Sequence, residues 1–141
     1  DNFPESLIDK RILFPRVETG GRELLVKELS EKGAKVTEVA VYQSRCPDRI
    51  DRLVWEALDA QKVDLVTFAS SKTVKNFVEL ITKEANSAAK VKTILNSISI
   101  ASIGPQTSQT CRELIGRVDI EAEEYTLEGL TTAIVARFID K

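Results

Sequence analysis

Histidine and methionine are absent from all 141 residues, cysteine occurs twice and tryptophan once. Without histidine there can be no Ser-His-Asp triad, no imidazole general base and no zinc site that needs an imidazole ligand. Cys46 and Cys111 lie far apart and form no CxxC pair, so they read as free thiols of a reducing compartment. No apolar run approaches the ~20 residues of a membrane span. Neither sign of charge dominates: the net charge is −2 and the isoelectric point is near 5.3, which argues against a nucleic-acid footprint. No signal or transit peptide is in view, and the expected setting is the cytoplasm, or the plastid stroma for a plant source. The opening Asp1-Asn2-Phe3-Pro4 and the lack of Met make the stretch read as part of something longer. Chemistry here must rest on hydroxyls, carboxylates, Lys, Arg, Tyr and backbone dipoles.

What is present describes an ordinary globular protein, 43% hydrophobic and 30% charged, of a size for one domain with a real core. Strand and helix alternate five times. Residues 10–15 read as a short buried strand closed by Pro15, and a helix from Arg22 ends at Gly33, a favourable residue just past a helix end. Val36 to Tyr42 alternates as a second strand. Arg49 to Ala60 is amphipathic, with Ile50, Leu53, Val54, Ala57 and Leu58 on one face; Trp55 beside that face reads as packing. Strands follow at 65–68, 98–102 and 118–122. The helices after them carry apolar stripes at Val74, Phe77, Val78 and Ile81 and at Leu130, Ile134, Val135 and Phe138, with a helix at 107–115 between. Short apolar strands joined by helices predict an α/β protein with a doubly wound, mostly parallel five-stranded sheet, flavodoxin-like with order 2-1-3-4-5.

Ligands of such sheets bind beyond the carboxyl ends of the strands. Two polar turns fall there. Ala69-Ser70-Ser71-Lys72-Thr73 follows the third strand, with Ser71 read as the helix cap, and Ser102-Ile103-Gly104-Pro105-Gln106-Thr107 follows the fourth. The first N–H groups of a helix have no intrahelical partner and carry partial positive charge. Two such ends facing one crevice would hold carboxylates or phosphates with few basic side chains. Either turn could equally be a plain cap, because Ser, Gly and Pro suit that position. Thr19-Gly20-Gly21-Arg22 is a third Gly-rich loop before a helix. It lacks the GxGxxG fingerprint and reads as a connector, though it keeps a flavodoxin-like phosphate- or flavin-binding module as the alternative. A receiver-like signalling module would need an acidic pocket with Asp ending the third strand. Asp64 instead precedes that strand and Ser70 ends it. Glu121, Glu123 and Glu124 read as a solvated rim.

Taken in order, Thr67-Phe68-Ala69-Ser70-Ser71-Lys72-Thr73-Val74-Lys75-Asn76-Phe77, Ser102-Ile103-Gly104-Pro105-Gln106-Thr107 and Glu124-Tyr125-Thr126-Leu127-Glu128-Gly129-Leu130 resemble uroporphyrinogen-III synthases. Upstream, Arg11-Ile12-Leu13-Phe14-Pro15-Arg16, Gly21-Arg22-Glu23-Leu24-Leu25 and Val39-Ala40-Val41-Tyr42-Gln43-Ser44 are similar to the same family. The resemblance implies a carbon–oxygen lyase (a hydro-lyase) of tetrapyrrole biosynthesis that uses no metal or cofactor. It would cyclise the linear hydroxymethylbilane: loss of the terminal hydroxyl leaves an azafulvene on ring A, and ring D attacks to give a spiro intermediate, then rejoins inverted. The family binds this eight-carboxylate substrate between two similar α/β domains. By motif Tyr42 matches the tyrosine proposed to protonate the departing hydroxyl, a role that suits a phenol better than base catalysis. Ser70, Ser71 and Lys72 match the first substrate-holding turn, and Gly104, Gln106 and Thr107 the second. Tyr125 and Thr126 would lie at the exit of the fifth strand. Gln106 stands where other members often carry a hydroxyl, so Thr107 is the preferred contact of the two.

The match begins in the second half of the family pattern. On that reading residues 8–43 are a βαβ segment from the family's other domain, 44–47 a connector and 48–141 the carboxyl-terminal domain segment. The family is monomeric. Residues 8–43 could instead complete one five-stranded sheet across 1–141, or do so between two chains exchanged at Tyr42–Pro47; that is the arrangement expected here, since an open parallel sheet exposes apolar edges. Taken alone, the stretch is expected to lack half the cleft and to turn over poorly or not at all. Neither nucleic acid nor membrane is an expected partner.

Overall fold

The computed structural model describes residues 6–18, 23–43 and 45–139. The Thr19–Arg22 loop, Ser44 and the opening Asp1-Asn2-Phe3-Pro4 lie outside the described residues. The chain divides into two compact units, Asp1–Cys46 and Pro47–Lys141, each treated below by itself. Both are α/β with parallel strands, which agrees with the expected class. The single sheet with order 2-1-3-4-5 is not found: the strands form one sheet of two and another of three.

The first unit holds β1 (Arg11–Val17), α1 (Glu23–Glu31) and β2 (Lys35–Tyr42). β1 and β2 run parallel from Arg11 opposite Lys35 to Val17 opposite Tyr42, with a bulge between Arg16 and Val17. Pro15 does not end the strand. Among the described residues one strand, β2, pairs with β1, and proline is tolerated on an edge strand because its missing N–H can face away from the ladder. α1 ends in a Schellman motif: Gly33 has φ +88°, its N–H bonds Ser30 O, and Ala34 N–H reaches back to Leu29 O. The expected burial of β1 fails, with Leu13 65% exposed and β2 exposed along most of its length. Two strands and one helix cover too little surface to bury both faces of a sheet.

The second unit contains α2 (Arg52–Asp59), β3 (Leu65–Phe68), α3 (Ser71–Ala85), α4 (Ala88–Ser97), β4 (Ser99–Ser102), α5 (Pro105–Leu114), β5 (Ile120–Glu121) and α6 (Leu127–Ile139). Its sheet is β3-β4-β5, parallel throughout, with Leu65 opposite Ser99 and Ala101 opposite Ile120. Alternation along the central strand sends Ile100 into one core and Ala101 into the other. Ile100 joins Leu58, Phe68, Val74, Ile81, Ile94, Leu95, Ile98 and Cys111, while Ala101 packs with Ile120, Ala122 and Leu130 of α6. Trp55 rests against the first core, with the Lys90 ammonium 5.1 Å from its ring centre. Helices therefore back both faces of this sheet.

Several boundaries differ from the sequence reading. Ser70, not Ser71, caps α3, and α5 starts at Pro105 rather than 107, because proline suits a first turn. The fifth strand shrinks to two residues. Asp119, read as part of that strand, instead makes a clasp with Arg117. Arg117 Nη2 donates to Leu95 O and Ile98 O, both at 2.7 Å, satisfying carbonyls at the end of α4. Asp119 Oδ2 accepts from Ile100 N–H at 2.7 Å and from Arg117 Nε at 3.2 Å. On α6, Leu130 is buried, but Val135 and Phe138 are exposed in this unit, as are Leu53 and Val54 on α2. Periodicity marks an apolar face without saying what covers it.

Cys111 forms no disulfide and is wholly buried in the larger core. Burial pushes its thiol up to about 11, against a smaller lowering by Arg112. Below the ordinary thiol value of 9.0 the folded and unfolded chains are both protonated there. As the pH climbs toward about 11 the unfolded thiol ionises first, so the unfolded state binds fewer protons and stability falls. Urea unfolding at several pH values should show this alkaline loss in the native sequence, and a shallower one in Cys111→Ala. Parallel slopes would show that the thiol is not linked to folding.

Candidate functional site

The carboxyl ends of β3 and β4 lie side by side, Phe68 opposite Ser102, so the turns that follow are neighbours by construction. At the first, Ser70 is extended (φ −161°) and its Oγ accepts from Thr73 N–H at 3.3 Å, while Thr73 Oγ1 donates to Ser70 O at 2.7 Å. At the second, Gly104 precedes Pro105 and offers no side chain to cap α5. The α5 start is held from beneath. Ser102 Oγ donates to Gly104 O at 3.0 Å and accepts from Gly104 N–H at 3.3 Å and from Ser108 Oγ at 3.0 Å. Ser102 and Ser108 are completely buried.

The turns also bond to each other across 35 residues of sequence: Ser71 Oγ donates to Gln106 O at 3.1 Å. Thr110 Oγ1, one helical turn further along α5, lies 2.9 Å from Ser71 Oγ and 3.2 Å from Gln106 O. Between them opens a cavity of about 580 Å³ lined by residues 69–72, 103–107 and Tyr125. That lining carries one cationic side chain, Lys72, and no carboxylate. A larger hollow of about 670 Å³ lies beside β5 and α6, where Asp119, Glu121, Glu123 and Glu124 outnumber Arg137. Its carboxylates would repel an acidic ligand, so the smaller, carboxylate-free cavity is the better receptor for anions. Among the described residues no group of three or more His, Cys, Asp or Glu could hold a metal ion. None of the helices among them is long and apolar enough to cross a membrane.

Of the residues singled out from sequence, Ser70, Ser71, Lys72, Gly104, Gln106, Thr107 and Tyr125 all meet in this one cavity. Gln106 and Lys72 are exposed, Ser70 and Ser71 half-buried, and Thr107 only 5% exposed. Thr126 does not line the cavity. Its Oγ1 accepts from Gly129 N–H at 2.9 Å and caps α6. Tyr42 belongs to the first unit, at the end of β2, and is 60% exposed there. Sequence reasoning passed over Ser108 and Thr110, and read Ser102 only as the start of the second turn. The available signal was a face of α5 built of small hydroxyl residues around Cys111, which looks polar yet is buried.

Tyr125 reaches the cavity by packing on Gly104. A Cβ placed on Gly104 would sit 2.9 Å from Tyr125 Cδ1 and 3.2 Å from its Cγ, so the ring must move if the glycine gains a methyl. Gly104→Ala is expected to cost about 1–3 kcal/mol by overpacking and to weaken binding of an acidic ligand, seen by denaturation and titration together. Unchanged binding would show that Tyr125 does not shape the cavity.

The family model described as uroporphyrinogen-III synthase HemD matches residues 1–132. The chain is 48% identical over 134 residues to the uroporphyrinogen-III synthase of Synechococcus elongatus, covering 95% of this chain and 50% of that protein. It is 31% identical over 107 residues to the synthase of Chlorobaculum parvum, covering 75% and 40% respectively. Crystal structures of uroporphyrinogen III synthase from Thermus thermophilus superpose with TM-scores of 0.52 and 0.56 at 19% identity, over 94% and 96% of this chain and 51% and 53% of theirs. The chain thus spans about half the length of the curated relatives it matches.

Proposed function

The chain belongs to the uroporphyrinogen-III synthase family, and on that footing we propose that the protein cyclises hydroxymethylbilane to uroporphyrinogen III with loss of water. This makes it a carbon–oxygen lyase. The observation that carries the reading is the meeting of two helix starts in one carboxylate-free cavity, tied together through Ser71 and Gln106. Helix N-termini, a lysine and hydroxyl-rich turns suit a substrate with eight carboxylates, because they attract the arms without a dense cationic patch. Such a patch would raise the energy of the cationic azafulvene formed when the hydroxyl departs. In this reading Ser70, Ser71, Lys72, Gly104, Gln106, Thr107 and Tyr125 surround the acidic arms. Thr126 serves by holding the turn that carries Tyr125. Tyr42 donates the proton to the leaving hydroxyl.

The domain reading that goes with this takes residues 8–43 as the tail of one domain, 44–47 as a connector and 48–141 as part of the second. The protein works as a monomer in the cytoplasm, without cofactor. The test is to supply hydroxymethylbilane to the full-length protein and separate the type III isomer from type I, which forms spontaneously. Enrichment of type III is expected. Type I at the uncatalysed rate overturns the assignment. Lys72→Glu should raise the KM several-fold by placing a negative charge among the substrate's arms, with a smaller effect on kcat.

A further inference from the structure

The binding reading leaves one buried hydroxyl unexplained. Thr110 is 7% exposed and faces no part of the proposed substrate cavity, yet its Oγ1 sits 2.9 Å from Ser71 Oγ. We propose that Thr110 is a positioning residue that, through Ser71, fixes the spacing between the α3 and α5 N-termini and thereby the affinity for the substrate's carboxylates. The proposal rests on the synthase reading and deepens it.

The argument is one of proton counting. A serine hydroxyl has one proton and two acceptor sites. Ser71 spends its proton on Gln106 O and accepts from Thr110, so its side chain has no donor left for an anion. Ser71 is therefore a cross-tie, and donation to carboxylates falls to backbone N–H groups, Lys72 and the other polar side chains of the lining. Gln106 O lies in the first turn of α5, so the tie grips that helix at the end that would meet the ligand. Thr110, one turn deeper, also has one proton; placed on the shorter contact to Ser71 Oγ at 2.9 Å rather than on Gln106 O at 3.2 Å, it leaves Ser71 a single favourable rotor direction. Two helix starts held at fixed separation need no reorganisation when an acidic arm arrives, which is where preorganisation raises affinity.

Three variants of the full-length protein test this. Thr110→Val keeps the branched shape and removes the hydroxyl, Thr110→Ser keeps the hydroxyl, and Ser71→Ala removes the tie from the other side. Affinity is read as the KM for hydroxymethylbilane and as the Kd for uroporphyrin III, a stable octacarboxylate, by fluorescence titration; melting temperature is recorded alongside. Thr110→Val and Ser71→Ala are each expected to weaken binding about fivefold to tenfold, with kcat changing less, and the double variant no more than either alone. Thr110→Ser should stay within about twofold of the native protein. Loss of melting temperature with unchanged Kd and KM in Thr110→Val overturns the proposal in favour of a merely structural bond. Weakened binding in Ser71→Ala alone overturns it in favour of direct contact by Ser71. The Kd comparison stands apart from isomer formation: a native protein that binds uroporphyrin III but yields only type I product defeats the synthase reading, whereas equal Kd values defeat the positioning role.

Discussion

Replacing Tyr42 with Phe in the full-length protein is expected to reduce formation of the type III isomer by about 10²–10⁴-fold, the range for loss of a positioned general acid. The substitution removes one oxygen and keeps the ring. Tyr42 is 60% exposed within its unit, and its carbonyl accepts a main-chain hydrogen bond from Glu18 N–H at 2.9 Å. The β2 ladder opposite Val17 is likewise backbone-made. Stability should therefore stay within about 0.5 kcal/mol, as for surface changes away from special features. That contrast separates chemistry from folding. If departure of the protonated hydroxyl as water is the assisted step, kcat falls while KM stays near its native value. A variant that keeps full type III output would remove Tyr42 as the acid, and one that changes only KM would make it a binding residue.

Gly129→Ala should be the most damaging small substitution in the second unit. In an ordinary helix the change would stabilise by up to about 1 kcal/mol, since alanine is the better helix former. Here the sign reverses. A Cβ on Gly129 would stand 2.2 Å from Glu124 O and 2.8 Å from Glu124 Cβ, and a backbone oxygen cannot swing aside as a side-chain tip can. Glu124 O also accepts from Thr126 N–H at 2.8 Å, and Thr126 Oγ1 from Gly129 N–H at 2.9 Å, so one added methyl strains both bonds. Overpacking of this kind costs about 1–3 kcal/mol. For a unit of this size that corresponds to a fall of roughly 10 °C or more in melting temperature at the upper end of that cost. The displacement passes to Tyr125, the next residue along, which packs on Gly104 and lines the cavity. Binding of the octacarboxylate should weaken in the same variant. Retained melting temperature would mean that the 124–129 turn relaxes freely. Retained binding with lower stability would detach Tyr125 from the site.

Much of the second unit could be read from local pattern. Of the stripe Val74, Phe77, Val78 and Ile81, Val74 and Ile81 are buried in the larger core and Phe77 packs against it as the 3.6-residue spacing requires, with Trp55 beside it. The turns at Ser70–Thr73 and Ile103–Thr107 announced themselves because apolar strands stop there at residues that start helices. The region after β4 was less readable. Asp119 reads as a strand residue and Arg117 carries no local signal, because their partners, Leu95 O, Ile98 O and Ile100 N–H, lie some twenty residues away. Thr110 and Ser108 carry the side chains of a polar face of α5, and the structure buries them, as it buries Ser102 at the end of β4. A hydroxyl that bonds within the protein has the same side chain as one that bonds water.

By itself the sequence determined the kind of chemistry open to this chain and the places where a ligand could be held. Missing imidazoles and paired thiols exclude whole reaction classes, and alternating strands and helices with hydroxyl-rich turns follow from side-chain size and backbone preference alone. Which strands share a sheet and which hydroxyls face inward depends on contacts between segments far apart in the chain. Pairing of β1 with β2 alone, and of β4 with β3 and β5, is chosen by edge hydrogen bonds and by burial shared between distant segments. The bond from Ser71 to Gln106 exists for the same reason: two parallel strands in register carry their following turns to one edge, and no local pattern encodes which strand will lie beside which.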